Sequence, residues 1–435
     1  MTSDHRMRVA ACLLGVAGAA AQVSPAFASA FMLREQTPDL TGNAFVGGAA
    51  KAYDASTVFS NPAGMVRLDQ NEFDAAVSGI FPHASFSGEN FMGPGVTTSG
   101  TTGSNAVSPA AIGSNAGVIG ITPDLKLGLS VTTPFGQRVS YPGDFVGRYH
   151  GLVTSVTDIA VSLALAYRIN DHWSVGGGPI IDYFHARVTS ALNLGPLDAF
   201  GNTVGDARGD DFGVGYNLGI LYQYDEHTRI GLDYRSRIRH TISGKQSISV
   251  PGELAGAVPG VASALSNLNS DIKAGVTLPD NLALSFYHDL TPRLAVMADL
   301  QWTHWAVFNQ IGIVPTNGSP TTTLSENWHD TIFAGIGANY KLRDNLVLQS
   351  GFAYDQSPVT DGNRNARIPD KSRLDLGIGA AYDVIPGVRL ALAYLHAFPT
   401  GKANINNVSN STSGQLVGHY DDHADIVSAG ITVKF

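Results

Sequence analysis

From about residue 71 onward, apolar and polar positions alternate with a period of two. Near the C-terminus Val427, Ala429, Ile431, Val433 and Phe435 alternate with Ser428, Gly430, Thr432 and Lys434. Leu374, Leu376, Ile378, Ala380 and Tyr382 form one face of a second run, and Phe212, Val214, Tyr216, Leu218, Ile220, Tyr222 and Tyr224 one face of a third. Successive side chains of a strand point to opposite faces, so each run predicts a strand with one apolar face. Aromatic residues such as Trp302, Trp305, Tyr340, Tyr354 and Tyr394 collect toward the strand ends. A water-soluble sandwich would alternate too, and the connections decide between the two. Short turns at 122–124, 170–172, 225–228, 289–292, 343–345 and 385–387 take turns with long polar connections. These fall at about 83–109, 135–156, 191–210, 243–279, 306–327, 356–370 and 399–423. The pattern predicts an all-β fold, a transmembrane antiparallel β-barrel of about 14 strands with short turns at one rim and long loops at the other. An open sheet edge would leave backbone groups unsatisfied in hydrocarbon, so the barrel must close.

Composition agrees. Only 14% of residues are charged, where a soluble chain has about a quarter, and a mean hydropathy of +0.04 excludes a helical membrane bundle. The first residues carry Arg6 and Arg8, the apolar run VAACLLGVAGAAA and the small-residue stretch AFASA. They read as a secretory signal, residues 1–28, cleaved after Ala28. Removing Arg6, Arg8 and Asp4 takes the formal charge from −9 to −10 and also removes Cys12, the one cysteine, so no disulfide framework or thiol chemistry is expected. An exported barrel belongs in the outer membrane of a Gram-negative bacterium. An acidic chain with scattered arginines gives no nucleic-acid signal. GIGA at 335–338 and 377–380 lies within strands, without a following helix, so nucleotide binding is unsupported. HYDDHAD (419–425) is placed in a loop beside the last strand and read as solvated or in contact with lipid headgroups. No metal and no cofactor is expected.

Residues 29–70 break the period and precede the first strand of the barrel, 71–435. A lumen of this width must be filled or conduct water, so the segment is read as a hatch inside it. Within DASTVFSNPAGM, Asn61 can cap a short helix that starts at Pro62 and continues through Ala63, Gly64 and Met65.

The stretch SAFMLREQ…GNAFVGGAAKAYDASTVFSNPAGM resembles the N-terminal hatch of the FadL/TodX outer-membrane transporters of long-chain fatty acids and other hydrophobic compounds. TPFG (133–136), GRYH (147–150), YRINDHWSVGGG (167–178), YRSRI (234–238), the THW…F of 303–308 and SPV…RIPDKSRLDLGIG (357–379) extend the likeness over nearly all of the mature chain. The resemblance implies a fourteen-stranded barrel with its hatch inside and no enzymatic step. Ligand is captured by an apolar groove in the long loops, moves to a lumen pocket, and leaves sideways through a gap at a kinked third strand. The expected partners are a hydrophobic small molecule, outer-membrane lipid and, through the terminal Phe435, the barrel assembly machinery; a monomer is expected.

The third strand is LKLGLSVTTPFG. Pro134 cannot donate to the ladder, and with Gly136 it marks either a strand end or the kink. On the fifth strand, WSVGGGPIIDYFHARVTS, a bulge at Gly176–Pro179 is inferred, which turns Phe184, Ala186 and Val188 to lipid and His185 and Arg187 into the lumen. His329 has lumen parity on the tenth strand. By the resemblance, His185 or Arg187 and His329 fall where the family keeps carboxylate-binding Arg and Lys, and Phe31 lies at the free end of the hatch lining the pocket. Arg235, Arg237 and Arg239 share one face of the seventh strand, as an anion guide or as a charge ladder paired with Asp233 and Asp375. Leu254, Val258, Val261, Leu265 and Leu268 can stripe a broken helix in the most apolar loop, as a capture groove or a self-packed lid. Three rivals remain: uptake of aromatic or alkane hydrocarbons, a barrel-embedded lipase, and a structural or adhesin barrel, which would need neither plug nor strand gap. The lipase would need a Ser–His pair that no stretch of the chain displays.

Overall fold

The computed structural model describes residues 30–407 and 412–435; the signal peptide and its cleavage after Ala28 lie outside them. The period-two runs are strands. In chain order they are β1 (Glu72–Gly93), β2 (Ala110–Gly120), β3 (Leu125–Thr132, resuming at Gly136–Ser140), β4 (Val153–Arg168) and β5 (Trp173–Leu192). There follow β6 (Thr203–Gln223), β7 (Thr228–Arg235 and Ile238–Ser249), β8 (Ser270–Leu278 and Asn281–Thr291) and β9 (Leu294–Thr303). The wall ends with β10 (Thr331–Arg343), β11 (Leu346–Asp355), β12 (Arg373–Ile385), β13 (Val388–Pro399) and β14 (Gln415–Lys434). Each pairs antiparallel with its neighbour, and β1 pairs with β14 from Glu72↔Lys434 to Phe91↔Gln415, which closes the ring.

The outward faces carry the apolar residues: Val214 is 71% exposed and Ile336 64%. Inward positions include polar residues such as Asp375, Ser428 and Asn217 beside buried apolar ones such as Ile112 and Phe333. Several strands run higher than the alternation indicates. β1 continues to Gly93 and β14 begins at Gln415, so HYDDHAD is strand, with His419 and His423 facing outward, and not a loop. Above the bilayer both faces meet water or loops, so nothing there selects for alternation.

Residues 30–70 lie within the ring of strands. Side chains of inward-facing residues hold their backbone from every side: Ser78 on β1 donates to Glu35 O at 2.7 Å, Asp299 on β9 accepts from Gly47 N at 3.0 Å, and Arg229 on β7 donates to Ala50 O and Lys51 O at 2.6 and 2.7 Å. Close approach is possible because the inner wall is glycine-lined. A Cβ at Gly231 would sit 1.8 Å from Ala49 O, and one at Gly377 2.4 Å from Thr41 O. This explains the glycines of the GIGA runs.

Candidate transport path

Asn61 is fully buried and every polar atom of its side chain is used. Oδ1 accepts from Ala63 N at 3.0 Å, capping the 3-10 helix Pro62–Arg67, and Nδ2 donates to Ala49 O at 2.7 Å and Ile220 O at 3.0 Å. The side chain thus ties two turns of the leading segment to β6. Pro62 and Ala63 lie against Gly176, where a Cβ would be 2.5 Å from Ala63 N. Gly64 sits where a Cβ would be 2.3 Å from Thr57 Oγ1.

The third strand is broken at Thr133–Phe135. Its ladder with β2 stops at Asn115↔Val131; Gly136–Ser140 is laddered with β4, and above the break Val139 bridges Val107 and Ser140 N donates to Ala106 O at 2.7 Å. Backbone groups left open in hydrocarbon cost several kcal/mol each; here the leading segment satisfies them. Leu33 N donates to Pro134 O at 2.7 Å and Gly136 N to Phe31 O at 2.8 Å. Gln36 donates to Thr133 O at 2.8 Å, and Phe135 N donates to Asp158 Oδ2 on β4 at 3.2 Å. The break is therefore closed by Phe31–Gln36 in place of β2.

Phe31 is 1% exposed and sits in an aromatic cage. Its ring centroid lies 5.1 Å from Trp305, 5.2 Å from Phe308, 5.7 Å from Phe135 and 5.8 Å from Trp328, within the range of favourable aromatic pairs. Trp305 and Phe308 enter the lumen because the chain after β9 folds inward as the short helix Trp305–Val307. Below the cage, Met32, Leu33, Pro134 and Phe135 border a cavity with about 740 Å³ of empty volume, which also meets Arg34 and Arg235. The Arg235 guanidinium stacks 3.7 Å over Phe59 and donates to Phe59 O, while its Nη1 is buried with no partner among the described residues. Trp305 Nε1 is likewise unpartnered among them.

Above the cage, a basin of about 1370 Å³ opens among the long loops, lined by Val188, Ile248, Leu265, Leu268, Ile313 and Leu324 with Arg367. Ile313 and Leu324 also pack on the cage cluster, so basin and cage share a wall. The loop 356–370 divides them: Val359 and Ile368 belong to the cage cluster, and Asp370 accepts from Ala30 N at 2.9 Å. Burial pushes the Arg367 guanidinium down to about 10 and the Glu326 carboxyl, hydrogen-bonded by Asn365, up to about 7.

Several sequence expectations are corrected. Pairing of β5 with β6 holds one register from Trp173↔Tyr222 to Leu192↔Thr203, so β5 has no bulge. Ile180, Asp182 and Phe184 point inward and Ile181 outward. His185 and Arg187 therefore face outward, and Arg187 pairs with Asp206 at 2.8 Å. The glycines at 176–178 make room for the leading segment, which is why they mimicked a bulge. The extra residue is in β7, where the strand breaks at Ser236–Arg237. Arg235 faces inward before it and Arg239 outward after it, so the three arginines do not share a face. His329 precedes β10 and is half-buried, hydrogen-bonded to Asp330 O at 2.8 Å; its neighbour Trp328 enters the cage. In the loop helices Gly252–Ala257 and Pro259–Ser266, Leu254 is fully buried and Leu265 9% exposed, while Val258 and Val261 are half-buried. The stripe turns inward and forms part of the basin wall. Arg235 keeps the lumen place that alternation with Arg229, Gly231 and Asp233 gives it; the outward place of Arg239 depends on the β7 bulge, which no turn residue announces.

Residues 19–435 match the family described as outer membrane protein transport protein (OMPP1/FadL/TodX). The chain belongs to this family. It is 27% identical over 400 residues to the long-chain fatty acid transport protein of Escherichia coli K12, covering 85% of this chain and 88% of that one. The crystal structure of a Pseudomonas aeruginosa FadL homologue superposes with a TM-score of 0.84 at 23% identity, covering 93% of this chain and all of that one. The Ralstonia pickettii toluene transporter TbuX superposes with a TM-score of 0.68 at 17% identity over 93% of this chain and 99% of its own. This FadL/TodX member is an outer-membrane transporter.

Proposed function

We propose that the protein takes up a long-chain fatty acid, or a hydrophobic compound of similar shape, passively across the outer membrane. Ligand enters the loop basin, passes between Leu324, Ile313 and the loop 356–370 into the Phe31 cage, and reaches the cavity beside Pro134 and Phe135. It leaves sideways where β3 and β2 are unpaired, with Phe31–Gln36 as the movable closure. The observation that carries this reading is the backbone pairing of Phe31–Leu33 with Pro134–Gly136: the same few residues line the cage and fill the gap in the wall. Arg235 Nη1 supplies an unused donor for a carboxylate, since a charge-assisted bond is about twice as strong as a neutral one.

The related E. coli protein is a fatty acid transporter and the TbuX structure that of a toluene transporter, so the cage alone suits either ligand class. Native mass spectrometry of ligand co-purified in detergent separates them. A carboxylate-bearing lipid supports the fatty acid reading; an uncharged hydrocarbon replaces it by the second; an empty protein that also fails to bind added oleate or toluene contradicts both.

A further inference from the structure

The wall has a second interruption. Between β6 and β7 the ladder ends at Asn217↔Arg235 and resumes at Asp210↔Ser243. In between, Asp211–Tyr216 and Ser236–Ile242 run side by side without ladder pairs, with one extra residue on β7. Both strands are paired on their other edges, β6 with β5 throughout and β7 with β8 from Ile238 onward. One backbone bond crosses it at the Asn217 end, Ser236 N to Tyr216 O at 2.9 Å, and side chains patch the rest. Tyr216 N donates to Ser236 Oγ at 2.9 Å and Thr241 N to Asp211 Oδ2 at 2.9 Å.

Two side chains plug what remains. A Cβ at Gly213 would lie 2.4 Å from Ile238 Cγ2 and 2.6 Å from His240 Cε1, so both side chains cover the seam on its lumen face. His240 is fully buried, stacked on Phe184, with Nε2 3.2 Å from Asp182 Oδ1 and Nδ1 3.3 Å from Asp211 Oδ2. Neither ring nitrogen makes a well-formed hydrogen bond to a described residue. Ionisable groups at bilayer depth are expensive and mark function more often than structure. On the lumen side Ile238, Ile242 and Phe184 belong to the same apolar cluster as Phe31, Phe135 and Trp305. On the lipid side Phe212 and Val214 stand 69% and 71% exposed.

We propose that this seam is a second lateral outlet for the apolar ligand, four strand positions round the wall from the break in β3, latched by Ile238 and His240. It rests on the reading of the Phe31 cage as the ligand chamber. That chamber then touches the hydrocarbon at two places, one closed by the leading segment and one by side chains of the wall itself. Ligand can leave by the second without moving the leading segment.

A disulfide staple tests it. The Gly213 Cβ position is within bonding reach of the Ile238 side chain, and the only natural cysteine, Cys12, lies in the signal. In the variant Gly213→Cys with Ile238→Cys, oxidation should lower uptake of radiolabelled oleate and of toluene by about half, and reductant should restore it. His240→Ala should act oppositely and raise uptake. Uptake by cells making the parent protein, compared with cells lacking it, controls for the transport reading. If the parent takes up nothing, both readings fail. If the parent is active but neither the staple nor His240→Ala changes uptake, the second outlet alone is overturned. A staple that fails to form or to fold leaves His240→Ala to decide.

Discussion

β10 to β13 pair without interruption across the membrane, with register shifts only beside the turns at Lys341/Arg343 and Asp383/Ile385. β3, β7 and β8 are each broken at mid-depth, and the chain after β9 folds inward. The leading segment touches both halves, in different ways. Against the regular half its backbone lies on glycines, and its Asp39 and Asn43 side chains are hydrogen-bonded to Gln349 and Asn339. Against the broken half it contributes backbone of its own to the wall. A continuous ladder needs nothing from the lumen, so that half can serve as an anchor. An interrupted one must borrow partners, and a borrowed partner can be withdrawn. The anchor fixes the rear of the segment while Phe31–Gln36 stands at the opening.

The contrast is broken most severely by freeing the rear of the leading segment, which Asn61 ties to β6. Asn61→Ala with Pro62→Ala removes three buried hydrogen bonds, worth about 3 kcal/mol together. Oleate uptake should collapse while the heat-resistant band of the barrel on gels stays. Unchanged transport would remove the segment from the mechanism. Arg235→Met tests the broken half without touching its ladder: oleate affinity should fall by about 2 kcal/mol, ~30-fold, with toluene uptake unaffected. Equal losses for both ligands would assign Arg235 to structure.

The outward-facing β5 residues and the lumen-facing glycines show how much of this was legible. Strand number, closure, turn positions and the Asn61 cap follow from alternation and local chemistry, and these are the features that one strand or turn settles alone. The faces of His185, Arg187 and Arg239 depend on which strand carries the extra residue. The glycines at 176–178 and those at 213 and 215 both read as possible bulges, and only the packed segment at the first and the unpaired seam at the second tell them apart. Arg235 and Trp328 became site residues through those tertiary facts.

Protonation gives a finer probe of the closure. Burial pushes Glu35 from its ordinary range up to about 7, although Arg373 pulls it down. The folded protein therefore holds this proton more tightly than the unfolded chain. The stability it contributes is present at low pH and is lost as pH rises toward 7. Proteolysis after Arg34 should be faster at pH 8 than at pH 5.5, and Glu35→Gln should flatten that difference. The smallest effect is expected at Arg187→Gln: the pair with Asp206 faces outward and is partly exposed, so uptake and stability should change by less than about 0.5 kcal/mol. A larger loss would return Arg187 to the ligand path.

Photocrosslinking tests the sideways route most directly. A long-chain fatty acid carrying a terminal diazirine, bound to the purified barrel and irradiated, should label Phe31, Phe135 and Ile112 at the opening beside β3. Labels concentrated instead on Tyr287, Arg293 and Lys341, around the periplasmic mouth, would mean that ligand travels straight down the bore.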